Sequence, residues 1–208
     1  MSNWYILGVM AISVSFNLLA ALVFLFLFWR KMREDYTANQ IFTTAIYAIL
    51  GGALGVGIAF KFVFVWWFWP LMIGVFLGFG VGVWRFHLRF YETLDALIFS
   101  LLPWLAVFFL SDSIVNLKLS SLIASALVFG LVGLYWYLDN HYKNFSWYRS
   151  GKVGFAGLTT AAAFFLVRAA LAIPFGYVLS FSGKFEALIS AITAFIFFLL
   201  IFNLSRQV

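Results

Sequence analysis

Seven apolar runs, each long enough to cross a bilayer and parted only by short polar or charged stretches, constrain this chain more than any other feature. A hydrocarbon core about 30 Å thick needs roughly 20 apolar residues per helix. Inside it every backbone N–H and C=O must find a partner within the protein, so runs of this kind read as helices. The spans fall at about Trp4 to Trp29, Ile41 to Phe60, Val63 to Trp84, Leu94 to Leu110, Leu119 to Leu138, Val153 to Ile173 and Phe185 to Leu204. The expected fold is therefore an all-α polytopic membrane helix bundle, a single transmembrane domain over residues 1–208. Pro103, inside the fourth span, predicts a kink or a broken turn, and the polar stretch Ser111-Asp112-Ser113 is expected to follow that span. The first run lacks a basic leader and a small-residue cleavage site, which reads as a retained helix rather than a signal peptide.

Charge placement orients the bundle. Lys and Arg flanking membrane spans are kept preferentially in the cytoplasm. With the N-terminus outside, the inner loops collect Arg30, Lys31, Arg33, Arg85, Arg89, Lys143, Arg149, Lys152 and Arg206, and the outer side keeps Lys61, Lys118 and Lys184. The C-terminus is then cytoplasmic. The same dispersal explains the net charge of +6 as an orientation signal, so no nucleic-acid partner is expected. With 65% hydrophobic and 10% charged residues the chain has too little polar surface for a soluble domain of its length. It has no cysteine, which removes disulfides, thiolate metal sites and Cys nucleophiles. Neither His87 nor His141 has a carboxylate at metal-ligand spacing, and no metal or cofactor is expected.

Two features stand out within the spans. Gly51/Gly55, Gly74/Gly78 and Gly78/Gly82 have the small-xxx-small spacing that lets helix backbones approach closely in lipid, which predicts tight packing of spans two and three. Arg168 lies about 22 Å along its span at 1.5 Å per residue from Val153, in the outer half of the membrane. A guanidinium there needs a partner. Asp112 and Glu186, at the outer ends of neighbouring spans, are the protein candidates, and an anionic phospholipid headgroup is the ligand candidate because Arg offers a planar fork of donors. In the headgroup reading Lys61, Lys118 and Lys184 supply further positive charge. Glu92 and Asp95, three residues apart, read as the acidic first turn of the fourth span.

The order of these features resembles the bacterial phosphatidylglycerol–prolipoprotein diacylglyceryl transferase family. The likeness runs through Asn3-Trp4-Tyr5, the Arg30-Lys31-Met32-Arg33 stop, Tyr47-Ala48-Ile49-Leu50-Gly51-Gly52-Ala53-Leu54-Gly55 and Phe90-Tyr91-Glu92-Thr93-Leu94-Asp95-Ala96-Leu97. The resemblance implies seven spans in a bacterial inner membrane and a diacylglyceryl group taken from phosphatidylglycerol. Where that family carries His-Gly-Gly this chain reads Trp69-Pro70-Leu71, Gly57 stands for the second-helix arginine, and Phe108 to Ser113 replaces the Gly-Arg-x-Gly-Asn-Phe signature. Of the arginine-rich run in the sixth helix only Arg168 remains. Thiol activation and departure of a glycerol phosphate require a base and several fixed cationic donors. The expectation is therefore a catalytically degenerate, lipid-binding member of the scaffold. The alternative is a non-catalytic subunit whose aromatic faces bury against partner helices of a larger membrane complex.

Overall fold

The computed structural model describes residues 3–62, 66–145, 148, 152–173 and 184–206. Seven helices follow in order among the described residues, α1 (Asn3–Met32), α2 (Ala38–Phe62), α3 (Phe68–Phe86), α4 (Phe90–Asn116), α5 (Leu119–His141), α6 (Phe155–Ala172) and α7 (Lys184–Arg206), and a 3-10 turn at Tyr142–Asn144 follows α5. All seven include a stretch long and apolar enough to cross a membrane, and no strand occurs among the described residues. This is an all-α polytopic bundle, the architecture of a multi-pass membrane protein. Its surface agrees with that: Leu54, Leu77, Trp84, Phe185 and Phe195 all point outward, a display of apolar side chains that lipid or partner helices must cover.

Several boundaries differ from the hydropathy reading. The third helix begins at Phe68 rather than Val63, which lies outside the described residues, as does Arg149. The fourth runs on to Asn116, so Ser111-Asp112-Ser113 forms its last turns instead of a linker. It also continues through Pro103 without a broken turn; neighbouring helices in a bundle can absorb the missing N–H at such a site. Local chemistry sets other ends. Thr37-Ala38-Asn39-Gln40 has capping-box spacing, and the Gln40 side-chain oxygen accepts from Thr37 N–H (3.1 Å) at the start of α2. The α6 start needs Gly154, whose φ of +119° lies where side chains are strained.

Packing divides the bundle into a post, a shell and a leaf. Helix α4 is the most buried span and packs on α1, α5 and α6, and α7 packs on α6. Helices α2 and α3 form the leaf, packed far more extensively on each other than α2 is on α1. Their seam is backbone against backbone. A methyl group at Gly51 would strike the Gly74 carbonyl, one at Gly55 the Pro70 carbonyl, one at Gly78 the Tyr47 carbonyl and one at Gly82 the Thr44 side chain. Gly57 and Gly80 face open space instead. The leaf meets the post through long side chains, Phe68, Met72 and Phe79 being buried in the shared core.

Candidate functional site

At the end of the bundle opposite the basic loops, three helices bring one polar cluster together. Arg168 of α6 donates from Nη2 to Glu186 Oε2 of α7 (2.8 Å), and Trp69 of α3 donates from Nε1 to the same oxygen (2.7 Å). The Arg168 side chain is 2% exposed and that of Glu186 fully buried. The guanidinium carbon lies 3.7 Å from the centre of the Phe68 ring, a cation–π contact in a dry setting. Glu186 falls in the first turn of α7, where the positive end of the helix dipole favours its charge.

This geometry assigns the candidates of the sequence analysis different surroundings. Arg168 is turned inward to Glu186 and the Phe68 face, and at 2% exposure it is not presented to a lipid headgroup. Burial of an arginine is costly unless it is paired in good geometry, and Glu186 meets that need. Asp112 goes elsewhere: it accepts from Asn116 Nδ2 (2.7 Å) and from Ser121 Oγ, tying the end of α4 to the start of α5. Lys61 near the end of α2, Lys118 just before α5 and Lys184 at the head of α7 are all exposed.

Beneath the cluster an apolar crevice of about 330 Å³ opens between α3 and the α6–α7 pair, lined by Trp69, Met72, Ile73, Phe76, Leu77, Phe165 and Thr193. Thr193 adds little polarity, since its hydroxyl donates to the Ile189 carbonyl (2.8 Å). One wall is fixed by a ring stack: Phe165 lies between Trp69 (5.9 Å, 18°) and Phe197 (5.8 Å, 13°). From Trp69 to Leu77 is eight residues, or about 12 Å of helix, most of one leaflet's half of a 30 Å core. Trp66 and Phe185, 6.5 Å apart, flank the polar end beside Lys184.

A second cluster, which sequence reasoning missed, sits at the basic end. Asp95, 1% exposed, accepts from Tyr135 Oη (2.6 Å) and Gly157 N (2.7 Å) and lies 3.4 Å from Lys31 Nζ. Lys31 also reaches Asp139 at 2.8 Å. Four helices meet here. Asp95 stands in as the N-terminal cap that Gly154 lacks, satisfying an orphan N–H of α6. Gly157 makes this possible, because a methyl group there would lie 2.8 Å from the Asp95 Cα. The expected first-turn role thus belongs to Glu92 alone, which pairs with the exposed Arg89 (3.0 Å) and accepts weakly from Tyr36 Oη (3.3 Å). Partial burial raises the Tyr36 phenol above its usual pKa, and the neighbouring Glu92 carboxylate adds to that. The available signal for Asp95 was a carboxylate inside an apolar run, and for Trp69 an indole at a helix start.

Chemically, both clusters are ion pairs that join different helices, Arg168 with Glu186 and Lys31 with Asp95 and Asp139. Among the described residues no three His, Cys, Asp or Glu side chains converge as metal ligands. The chain matches no protein-family model, no curated protein and no solved structure.

Proposed function

We propose that this chain is a lipid-binding protein of the bacterial inner membrane, on a scaffold like that of the diacylglyceryl transferases but without their transfer chemistry. It takes one acyl chain of an anionic phospholipid into the crevice between α3 and α7. The crevice carries this reading: it is apolar and large enough for a ligand, faces the bilayer side of α3 through the exposed Ile73 and Leu77, and has about one leaflet's depth. A lipid whose chain lies there has its headgroup level with the first turn of α7, where Lys184 is exposed, and Lys61 ends α2 at the same side of the bundle. The place where the resembled family carries His-Gly-Gly is here Trp69-Pro70-Leu71, and Trp69 lines the crevice with an indole in place of an imidazole. An indole neither abstracts a thiol proton nor protonates a leaving group, which favours binding over transfer.

Thermal melting of the purified protein tests this. Phosphatidylglycerol at about a hundred times its Kd is expected to stabilise the folded state by about 2.7 kcal/mol. Phosphatidylcholine should do less, and Lys61→Ala/Lys184→Ala should narrow the difference. Equal, negligible effects of both lipids sink the proposal, and a fixed helical partner recovered in that case favours the subunit alternative. Expression in a transferase-depleted strain should give no diacylglyceryl-modified lipoprotein.

A further inference from the structure

We infer that the α2–α3 leaf is the gate of the crevice, pivoting at the basic end and latched at the other by Trp69 on Glu186, so that a phospholipid chain enters sideways from the bilayer. The inference rests on the lipid-binding reading for what passes the gate, but the gate itself stands on separate observations.

The leaf is stiff within itself. Its seam has no side chains to rearrange at Gly51, Gly55, Gly74 and Gly78, so α2 and α3 move together or not at all. Its attachment differs at its two ends. At the basic end both connections are short, residues 33–37 before α2 and His87–Arg89 after α3, and they are tied to one another: Tyr36 Oη accepts from Arg89 N–H (3.1 Å). His87 has φ +51°, a left-handed turn that fixes the corner. At the far end, α3 meets its neighbours through side chains at its start: the Trp69 hydrogen bond to Glu186 of α7, the Phe68 face beneath Arg168 of α6 and the Trp67 ring on Phe108 of α4 (5.1 Å).

Between these two ends lies the crevice, with α3 as one wall and Phe165 of α6 and Thr193 of α7 as the other. A few residues at element ends that absorb a small rotation are the usual hinge of such motions. Helix α3 has 19 residues, about 28 Å of lever, so a turn of about 10° at the pivot displaces Trp69 by about 5 Å. That displacement breaks the latch, draws the buried Phe68 and Met72 outward and widens the crevice most at its Trp69 end, while leaving the glycine seam intact.

The chain has no cysteine, so paired Cys variants of the full protein report without background. Spin labels at Ile73→Cys with Leu188→Cys, both on exposed faces near the latch, should give a narrow distance distribution. Trp69→Phe, which keeps the ring and removes the donor, should broaden and lengthen it by several Å. Labels at Trp84→Cys with Phe202→Cys, near the pivot, should not shift. A near-latch distance that Trp69→Phe leaves unchanged in a protein with wild-type helicity overturns the gate. The lipid arm uses a reducible, disulfide-containing bismaleimide bridge between Ile73→Cys and Thr193→Cys, both of which line the crevice. It should slow exchange of spin-labelled phosphatidylglycerol at least tenfold, and reductant should restore the rate. Opening in Trp69→Phe with exchange unaffected by the bridge keeps the moving leaf but overturns its lipid role, and with it the proposed function. Slow exchange in the bridged form together with an unshifted near-latch distance overturns the gate and leaves the lipid site standing.

Discussion

Glu186 and Asp95 solve one problem at opposite ends of the bundle. Each is a carboxylate buried near the start of a helix, each faces a cation on another helix, and each accepts a hydrogen bond from an aromatic donor, Trp69 or Tyr135. Arg168 was legible in the sequence because a charge inside an apolar run demands a partner, and Glu186 was one of two named candidates. Asp95 carried the same signal but was masked by its neighbour. It lies three residues after Glu92, so the first-turn pattern explained it, and Lys31 was absorbed into a stop cluster; only the approach of α6 at Gly157 reveals them as a pair. Removing one member of a buried pair strands the other charge, at about 3–5 kcal/mol, whereas replacing both with apolar residues is often neutral. Glu186→Gln keeps an acceptor for Trp69 but not the charge, and is expected to lower stability by about 3 kcal/mol. Arg168→Met/Glu186→Leu should lose less than that single variant. Denaturant melting in detergent followed by tryptophan fluorescence separates the two cases; a double variant worse than both singles argues that the pair itself stabilises the bundle.

The glycine pattern separates seam from surface within single helices. Gly51 and Gly57 belong to the same α2, and Gly78 and Gly80 to the same α3, yet Gly51 and Gly78 touch the opposing backbone whereas Gly57 and Gly80 touch nothing. Alanine is about 1 kcal/mol better than glycine in a helix interior. Where there is space that gain should appear, so Gly57→Ala and Gly80→Ala are expected to be neutral or stabilising by up to about 1 kcal/mol. At the seam the added methyl meets a carbonyl, and overpacking costs about 1–3 kcal/mol, so Gly51→Ala and Gly78→Ala should be destabilising by thermal melting. Seam variants as stable as the surface pair would mean that α2 and α3 are further apart than described. The four-residue spacing was visible in the sequence; which neighbour each glycine meets was not. Helix number was likewise legible from the apolar runs. Helix ends were less so, since α4 outlasts its apolar run by six residues at Asn116, carrying Asp112 on hydrogen bonds to Asn116 and Ser121 rather than on lipid contact.

For the molecule as a whole, hydropathy could show neither that α4 is the post nor that α2 and α3 form a leaf. Helices apolar on nearly every side carry no clear stripe to mark the face that is buried, and in lipid a buried leucine looks like an exposed one. Sidedness is a different matter, because it rests on charge. Seven crossings put the two ends of the chain on opposite sides, and the positive-inside rule counts Lys and Arg in short loops without subtracting nearby acids. The pairing of Lys31 with Asp95 and Asp139, and of Arg89 with Glu92, therefore leaves the assignment unchanged. Lys118 and Lys143 are exposed at opposite ends of α5. In cells expressing single-cysteine variants, a membrane-impermeant maleimide is expected to label Lys118→Cys before lysis and Lys143→Cys only after it. That outcome puts the Trp69 end of the crevice in the outer leaflet. The reverse labelling would invert the bundle, move the crevice to the cytoplasmic leaflet, and leave the proposed acyl-chain site with a different pool of lipid to draw on.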